Sequence, residues 1–188
     1  MNKLHDAKIF GVIGAIFMLL GGVIIPGLGA VIGLVFLFIA ITYIADDTKD
    51  RSIFDNYLMH FILTIVAVVA IFIIFFVSVG GFTFFSAMKS IDFKSPQAVW
   101  DFFSPYIAWW ALGLVIGWIF FIVAAWYLRR SYNSIAEHTK VELYRTMGTV
   151  YLIGAITTIV LIGFLIILVA KIIEIACFFS LPDQLPIA

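Results

Sequence analysis

Charge and cysteine are both scarce in this sequence. Only 12% of its 188 residues are charged, and Cys177 is the single cysteine. One cysteine excludes an internal disulfide and every metal site built from several thiolates. The 11 Lys and Arg residues are balanced by 11 Asp and Glu residues, which leaves no excess positive charge for nucleic acid. We therefore expect no nucleic-acid partner.

Motifs that would indicate catalysis are missing as well. The sequence contains no Ser-His-Asp arrangement, nucleophile elbow, phosphate-binding loop or Cys-x-x-Cys pair. We therefore predict that the protein is not an enzyme and that it carries no cofactor and no metal ion.

Apolar residues, by contrast, dominate the chain. They make up 64% of it, the mean hydropathy is +1.19, and several apolar runs approach or exceed the roughly 20 residues that cross a bilayer. This composition predicts an all-α integral membrane protein with five transmembrane helices and membrane lipid as its surroundings. The predicted spans cover residues 8–25, 28–45, 54–85, 105–128 and 148–179, within one transmembrane domain over 1–188.

Two segments are predicted to lie outside the spans. Residues 95–104 begin with Ser95-Pro96, a helix-capping serine before a proline at the first helical position, and continue with aromatic residues. We predict a short helix in the membrane interface there. Residues 129–147 are predicted to form a bridge between the last two spans.

A six-residue sequence occurs twice, as Ile-Ala-Asp-Asp-Thr-Lys at 44–49 and Ile-Ala-Glu-His-Thr-Lys at 135–140. We call these the two bridge motifs. The similarity extends over repeat units 28–86 and 112–180, and both units end in Phe-Phe-Ser. The pattern predicts a first helix followed by a parallel duplication of a helix-bridge-helix unit.

The distribution of Lys and Arg predicts the orientation. Eight of these residues fall on the side of the bridge motifs and three, Lys89, Lys94 and Lys171, on the other. The positive-inside rule then places the N-terminus and both bridges in the cytoplasm, and five spans place the C-terminus outside.

Glycines four residues apart occur at matching places in the two repeat units. The pairs are Gly29 with Gly33 and Gly113 with Gly117. Such pairs let helix backbones approach closely in lipid. We predict a helix-packing role for all four glycines.

Polar residues offer three candidate sites. Lys171 and Glu174 are one helical turn apart, and counting along a single straight helix predicts an ion pair at the outer interface rather than a site within the membrane. Thr64, Thr157 and Thr158 could line a path, although threonines more often bond their own helix. The third is an acidic group near His60, either a divalent-metal site or, the favoured interpretation, a solvated loop that neutralises itself. Its members are Asp46, Asp47, Asp50 and Asp55.

The glycine-rich first hairpin, the Ile-Ala-x-x-Thr bridge and the Gly-x-x-Tyr-Leu-Ile-Gly sequence at 148–154 resemble a prokaryotic membrane-protein family. So does the Phe-Phe-Ser-Leu-Pro sequence at 178–182. The family is known as domain of unknown function 996. The resemblance implies a prokaryotic, most often archaeal, cytoplasmic-membrane protein, and it implies no activity.

Two function classes follow. The first is a non-catalytic structural or accessory subunit, bound to a protein partner or to copies of itself. The second is a small solute or ion transporter or channel.

Overall fold

The computed structural model describes residues 3–24, 28–81, 86, 88–89 and 91–185. The helices whose bounds it gives are α1 (Lys3–Ile24), α2 (Leu28–Thr48), α3 (Arg51–Ser78), α4 (Pro96–Phe103), α5 (Ile107–Thr139), α6 (Leu143–Thr157) and α7 (Ile162–Phe179). Single 3-10 turns at Ser104–Tyr106 and Thr158–Val160 precede α5 and α7. No strand occurs in these described ranges, so the predicted all-α fold class is confirmed.

Within the described residues, five helical stretches are long and apolar enough to cross a membrane. They are Val31–Thr48, Arg51–Ser78, Pro96–Thr139, Leu143–Val160 and Ile162–Phe179. The protein is therefore a multi-pass α-helical membrane protein. The set differs from the predicted one in two ways. It does not include the predicted span 8–25, of which residues 8–24 lie in α1, and it divides the predicted last span in two.

The chain forms two compact units, one of residues 1–62 with 122–188 and one of residues 63–121. We call them the larger and the smaller unit. In the larger unit α1 and α2 pack backbone to backbone through glycine. A methyl group placed on Gly33 would lie 2.6 Å from the backbone nitrogen of Met18 and 2.8 Å from the carbonyl oxygen of Gly14. Only glycine permits this approach.

The smaller unit contains the second part of α3, helix α4 and the beginning of α5. Here Gly113 and Gly117 of α5 face the side chains of Ile74 and Ile71 on α3. Helix α4 begins as its sequence predicts, since the Ser95 side chain accepts a hydrogen bond from the backbone of Ala98 and Pro96 is the first helical residue. The interfacial location of α4 remains a prediction.

The predicted single span over 148–179 is wrong. Helix α6 ends at Thr157, a 3-10 turn follows, and Leu161 takes a left-handed φ of 63° before α7 begins at Ile162. Helix α7 then runs back along α6. A methyl group on Gly154 would lie 3.0 Å from the backbone nitrogen of Ile167, so two glycine-containing helix faces make this hairpin possible.

The predicted placement of the two termini on opposite sides is wrong for the same reason. Because α7 reverses direction, Phe178 packs against Gly11 of α1. Beyond it, the Nδ1 nitrogen of His5 donates to the Asp183 carboxylate at 3.1 Å. This hydrogen bond lowers the pKa of Asp183. The N-terminal and C-terminal ends therefore lie together.

Several predicted boundaries also move. Helix α3 ends at Ser78 rather than near 85, and Gly80 and Gly81 follow with φ of 73° and 64°. Helix α5 continues through Thr139, so the first half of the predicted bridge over 129–147 is helical. The first Phe-Phe of the repeat ends, at 84–85, lies outside the described residues.

Candidate functional site: a buried polar cluster

A carboxylate lies at the centre of the larger unit. The side chain of Glu174 on α7 is fully buried, and its neighbours in the sequence are mostly apolar. Its Oε2 oxygen accepts a hydrogen bond from the Lys171 ammonium at 2.8 Å, and its Oε1 oxygen accepts a short hydrogen bond from the Tyr132 hydroxyl. Both oxygens are therefore engaged by donors from two different helices.

Tyrosine rings enclose this carboxylate. The Tyr132 ring on α5 stacks on Tyr57 of α3 with centroids 6.5 Å apart, and it meets Tyr144 of α6 edge-on at 5.5 Å. Tyr144 in turn packs edge-on against Phe178 of α7 at 5.6 Å. These contacts bring α3, α5, α6 and α7 together at the end of the larger unit that holds the bridge motifs.

A second layer lies farther from the bridge motifs. The Lys171 ammonium lies 5.4 Å from the centre of the Tyr151 ring, a distance suited to a cation–π contact. His60 meets the same ring edge-on at 5.7 Å, and its Nδ1 nitrogen donates to the Ala124 carbonyl at 3.0 Å. The cluster thus contains an acid and a base on α7 and an imidazole on α3.

The predicted Lys171–Glu174 ion pair exists, but its predicted place at the outer interface is wrong. The prediction rests on the distance from Thr149 to Lys171 along one straight helix. Because the chain reverses at Leu161, α7 runs back along α6, so that Glu174 bonds Tyr132 of α5 and Phe178 reaches Tyr144 near the start of α6. Lys171 retains 17% exposure and Glu174 none, so the pair is internal.

The acidic group of the first bridge is arranged differently from a metal site. Asp46 pairs with Lys3 at 3.1 Å, Asp55 lies 3.7 Å from Arg51, and Asp50 caps the following helix through the backbone of Ser52. His60 is turned toward Ala124. In the part of the chain that the structure describes, no three His, Cys, Asp or Glu residues gather closely enough to hold a metal ion.

The predicted packing glycines face different neighbours. Gly33 faces α1, whereas Gly113 and Gly117 face α3. Gly29 is buried. A packing role for the four remains a prediction that substitution can test.

The tyrosines are the part of the cluster that sequence reasoning missed. Tyr57, Tyr132 and Tyr144 are each almost fully buried, although tyrosines near the ends of spans usually mark the membrane interface. One signal was present, since all three lie within nine residues of a bridge motif on different helices. Only the pairing of those helices shows that they converge.

The fold and this cluster define a multi-pass helical membrane protein with a buried ionic centre. A family model described as a protein of unknown function, DUF996, matches residues 29–172, and the chain belongs to this family. It is also 30% identical over 183 residues to the uncharacterized protein MJ1644 of Methanocaldococcus jannaschii, covering 97% of this chain and 96% of that protein. No solved structure matches the chain.

Proposed function

We propose that this protein is a non-catalytic structural or accessory component of a prokaryotic cytoplasmic membrane, working in an assembly with a protein partner or with copies of itself. The observation that carries the proposal is that Glu174 is fully buried and that each of its oxygens accepts a hydrogen bond from the protein itself. A carboxylate that binds a solute or a proton in transit needs an oxygen open to a path, and the Glu174 side chain has no exposed surface. The Glu174 carboxylate instead stabilises the packing of α7 against α5.

The helix interruption supports the same proposal. Broken helices in transporters expose backbone groups that bind a substrate. Here the Thr158 hydroxyl donates to Gly154 at 2.7 Å, and the backbone of Phe164 donates to Leu161 at 3.1 Å. The interruption therefore satisfies these polar groups internally and serves to reverse the chain.

A transporter or channel is the second candidate, and two observations favour it. Ionisable residues within spans commonly mark ion pathways, and Lys171 and Glu174 are such residues. The Tyr144 hydroxyl is buried and has no hydrogen-bond partner among the described residues, so it is available to a bound species.

Two measurements on one preparation separate the candidates. Gentle detergent extraction followed by native mass analysis should give a stoichiometric complex or an oligomer, and sealed vesicles containing the protein should show no saturable solute or proton flux. A strictly monomeric protein with saturable flux that Glu174→Gln or Thr157→Val abolishes would reverse the assignment. Arg145→Gln, which removes an exposed pair with Glu142 at 3.1 Å, is the matched control.

A further inference from the structure

A polar cavity and an apolar groove adjoin on the surface of α2. The cavity, of about 360 Å³, is lined by Thr42, Ala45, Asp46, Lys49, Arg51 and Phe54. The groove, of about 560 Å³, is lined by Leu34, Val35, Phe38, Ile39, Thr42, Tyr43 and Phe61. Thr42 belongs to both linings, so the two spaces are neighbours, with charged residues toward one end and apolar residues toward the other.

The charged end holds one cation without an ion pair and one cation in a single exposed pair. No described residue forms an ion pair with Lys49, whereas the Nε nitrogen of Arg51 lies 3.7 Å from Asp55 and the Arg51 side chain is 86% exposed. The one acid in the lining, Asp46, already pairs with Lys3 at 3.1 Å. An anion in the cavity would therefore meet the unpaired Lys49 and could compete with Asp55 for Arg51.

Aromatic rings that pack against one another line the apolar end. The Phe38 ring meets Tyr57 and Phe61 edge-on at 5.1 and 5.3 Å, and Phe54 lies 6.2 Å away. The hydroxyl of Thr42 donates to the Phe38 carbonyl at 2.7 Å, which removes its polarity from the groove. Val35, which also lines the groove, is 53% exposed. The groove can thus hold a hydrocarbon chain.

We propose that this site binds one phospholipid with an anionic headgroup, its phosphate between Lys49 and Arg51 and an acyl or isoprenoid chain along α2. The arrangement follows the path of α2, which leads from apolar residues to the bridge where the cations lie. Basic pockets at the ends of transmembrane helices bind anionic headgroups in this way. The proposal is independent of whether the protein assembles with a partner.

The second bridge motif supplies an internal comparison. Lys140 matches Lys49, but the nearby Arg145 lies 3.1 Å from Glu142 and 3.9 Å from Glu137. Its charge is therefore already neutralised. The proposal places the lipid at the first bridge alone.

The test is native mass analysis of the intact protein titrated with phosphatidylglycerol or with phosphatidylcholine of the same chains. We expect one retained phosphatidylglycerol, bound about tenfold more tightly than phosphatidylcholine. Lys49→Gln with Arg51→Gln should remove that preference, whereas Lys140→Gln with Arg145→Gln should leave it. Equal binding of the two lipids, or equal loss in the two double variants, would overturn the proposal.

A groove variant distinguishes a lipid from a free anion. Val35→Trp should weaken binding of both lipids at least several-fold by filling the groove, and Val123→Trp, at a similarly exposed valine on α5, should not. Glycerol phosphate, the headgroup without chains, should compete poorly. Full competition by glycerol phosphate together with unchanged binding in Val35→Trp would show an anion site and refute the lipid. A copurifying polypeptide displaced by Val35→Trp would equally refute it.

Discussion

The two bridge motifs end their helices in the same way. The hydroxyls of Thr48 and Thr139 donate to the carbonyl four residues earlier, at 2.8 and 2.7 Å. The next residues, Lys49 and Lys140, take left-handed φ angles of 57° and 59°. A short repeated sequence thus produces a repeated helix end, because all of its contacts are local.

The chain diverges after each motif. In the first copy α3 continues unbroken for 28 residues, whereas in the second copy the chain turns back after α6. Counted from the motif, Gly154 and Gly163 of the hairpin correspond to Leu63 and Phe72 of the first copy. Large side chains at those positions would prevent two helix backbones from approaching. Gly154 and Gly163 therefore permit the second copy to fold back.

The largest effect expected concerns the ends of the chain. In a Cys177→Ala background, cysteines at His5 and Asp183 should be joined by a short thiol cross-linker that contains a disulfide, since the native side chains meet at 3.1 Å. The measurement is a mobility shift that reductant reverses. With single cysteines at Glu137 and Gln184, an impermeant thiol reagent should label both from the same side of sealed vesicles. Labelling from opposite sides would contradict the reversal at Leu161.

Substitutions can give the second copy the large residues that the first copy has at the matching positions. Gly154→Leu with Gly163→Phe should prevent the close approach of α6 and α7 and abolish the cross-link between positions 5 and 183. The physical reason is overpacking against backbone atoms, which cannot move aside. An undiminished yield of that cross-link would show that the glycines do not hold the hairpin.

The buried ion pair should be the next most sensitive feature. Lys171→Met leaves Glu174 buried without its cation and should lower the free energy of unfolding by about 3–5 kcal/mol. Lys171→Met with Glu174→Met should recover most of that loss. Denaturation in detergent measures both, and Arg145→Gln, an exposed cation, should cost less than about 1 kcal/mol. Equal costs for Lys171→Met and Arg145→Gln would refute a buried pair.

The matching glycines of the two units should differ in sensitivity. Gly33→Leu and Gly117→Leu should each destabilise the protein by about 1–3 kcal/mol, as measured by thermal unfolding in detergent. We expect the larger loss at Gly33, where the obstacle is the backbone of α1, and the smaller at Gly117, where the Ile71 side chain can shift. Val115→Leu, at an exposed residue of α5, is the control. Stability equal to the parent in both variants would make the glycines incidental.

The smallest effect tests the equivalence of the bridge motifs. Lys49→Gly and Lys140→Gly should each raise the free energy of unfolding by up to about 1 kcal/mol, because glycine adopts the left-handed conformation without strain. The two gains should agree, since the φ angles agree. A gain at one motif and a loss at the other, in the same unfolding measurement, would show that their surroundings are not equivalent.

Local and compositional properties of this protein follow from its sequence. Apolar runs long enough to cross a bilayer fix the all-α membrane class, because backbone groups in lipid must bond within their own helix. The Ser95-Pro96 sequence gives the start of α4, and the repeated Ile-Ala-x-x-Thr-Lys gives two matching helix ends. Each depends on contacts within a few residues, which spacing along the chain already contains.

The course of the second copy, and the site that results from it, depend on helix packing that the sequence pattern does not reveal. The reversal at Leu161 needs Gly154 and Gly163 to face each other, and an apolar run of 18 residues followed by another reads in sequence like one long span. That reversal carries Glu174 back to Tyr132, 42 residues earlier in the chain. Hydrophobicity indicates that a segment lies in lipid, but not the direction in which its helix runs. The position of the ionic centre therefore follows from helix packing.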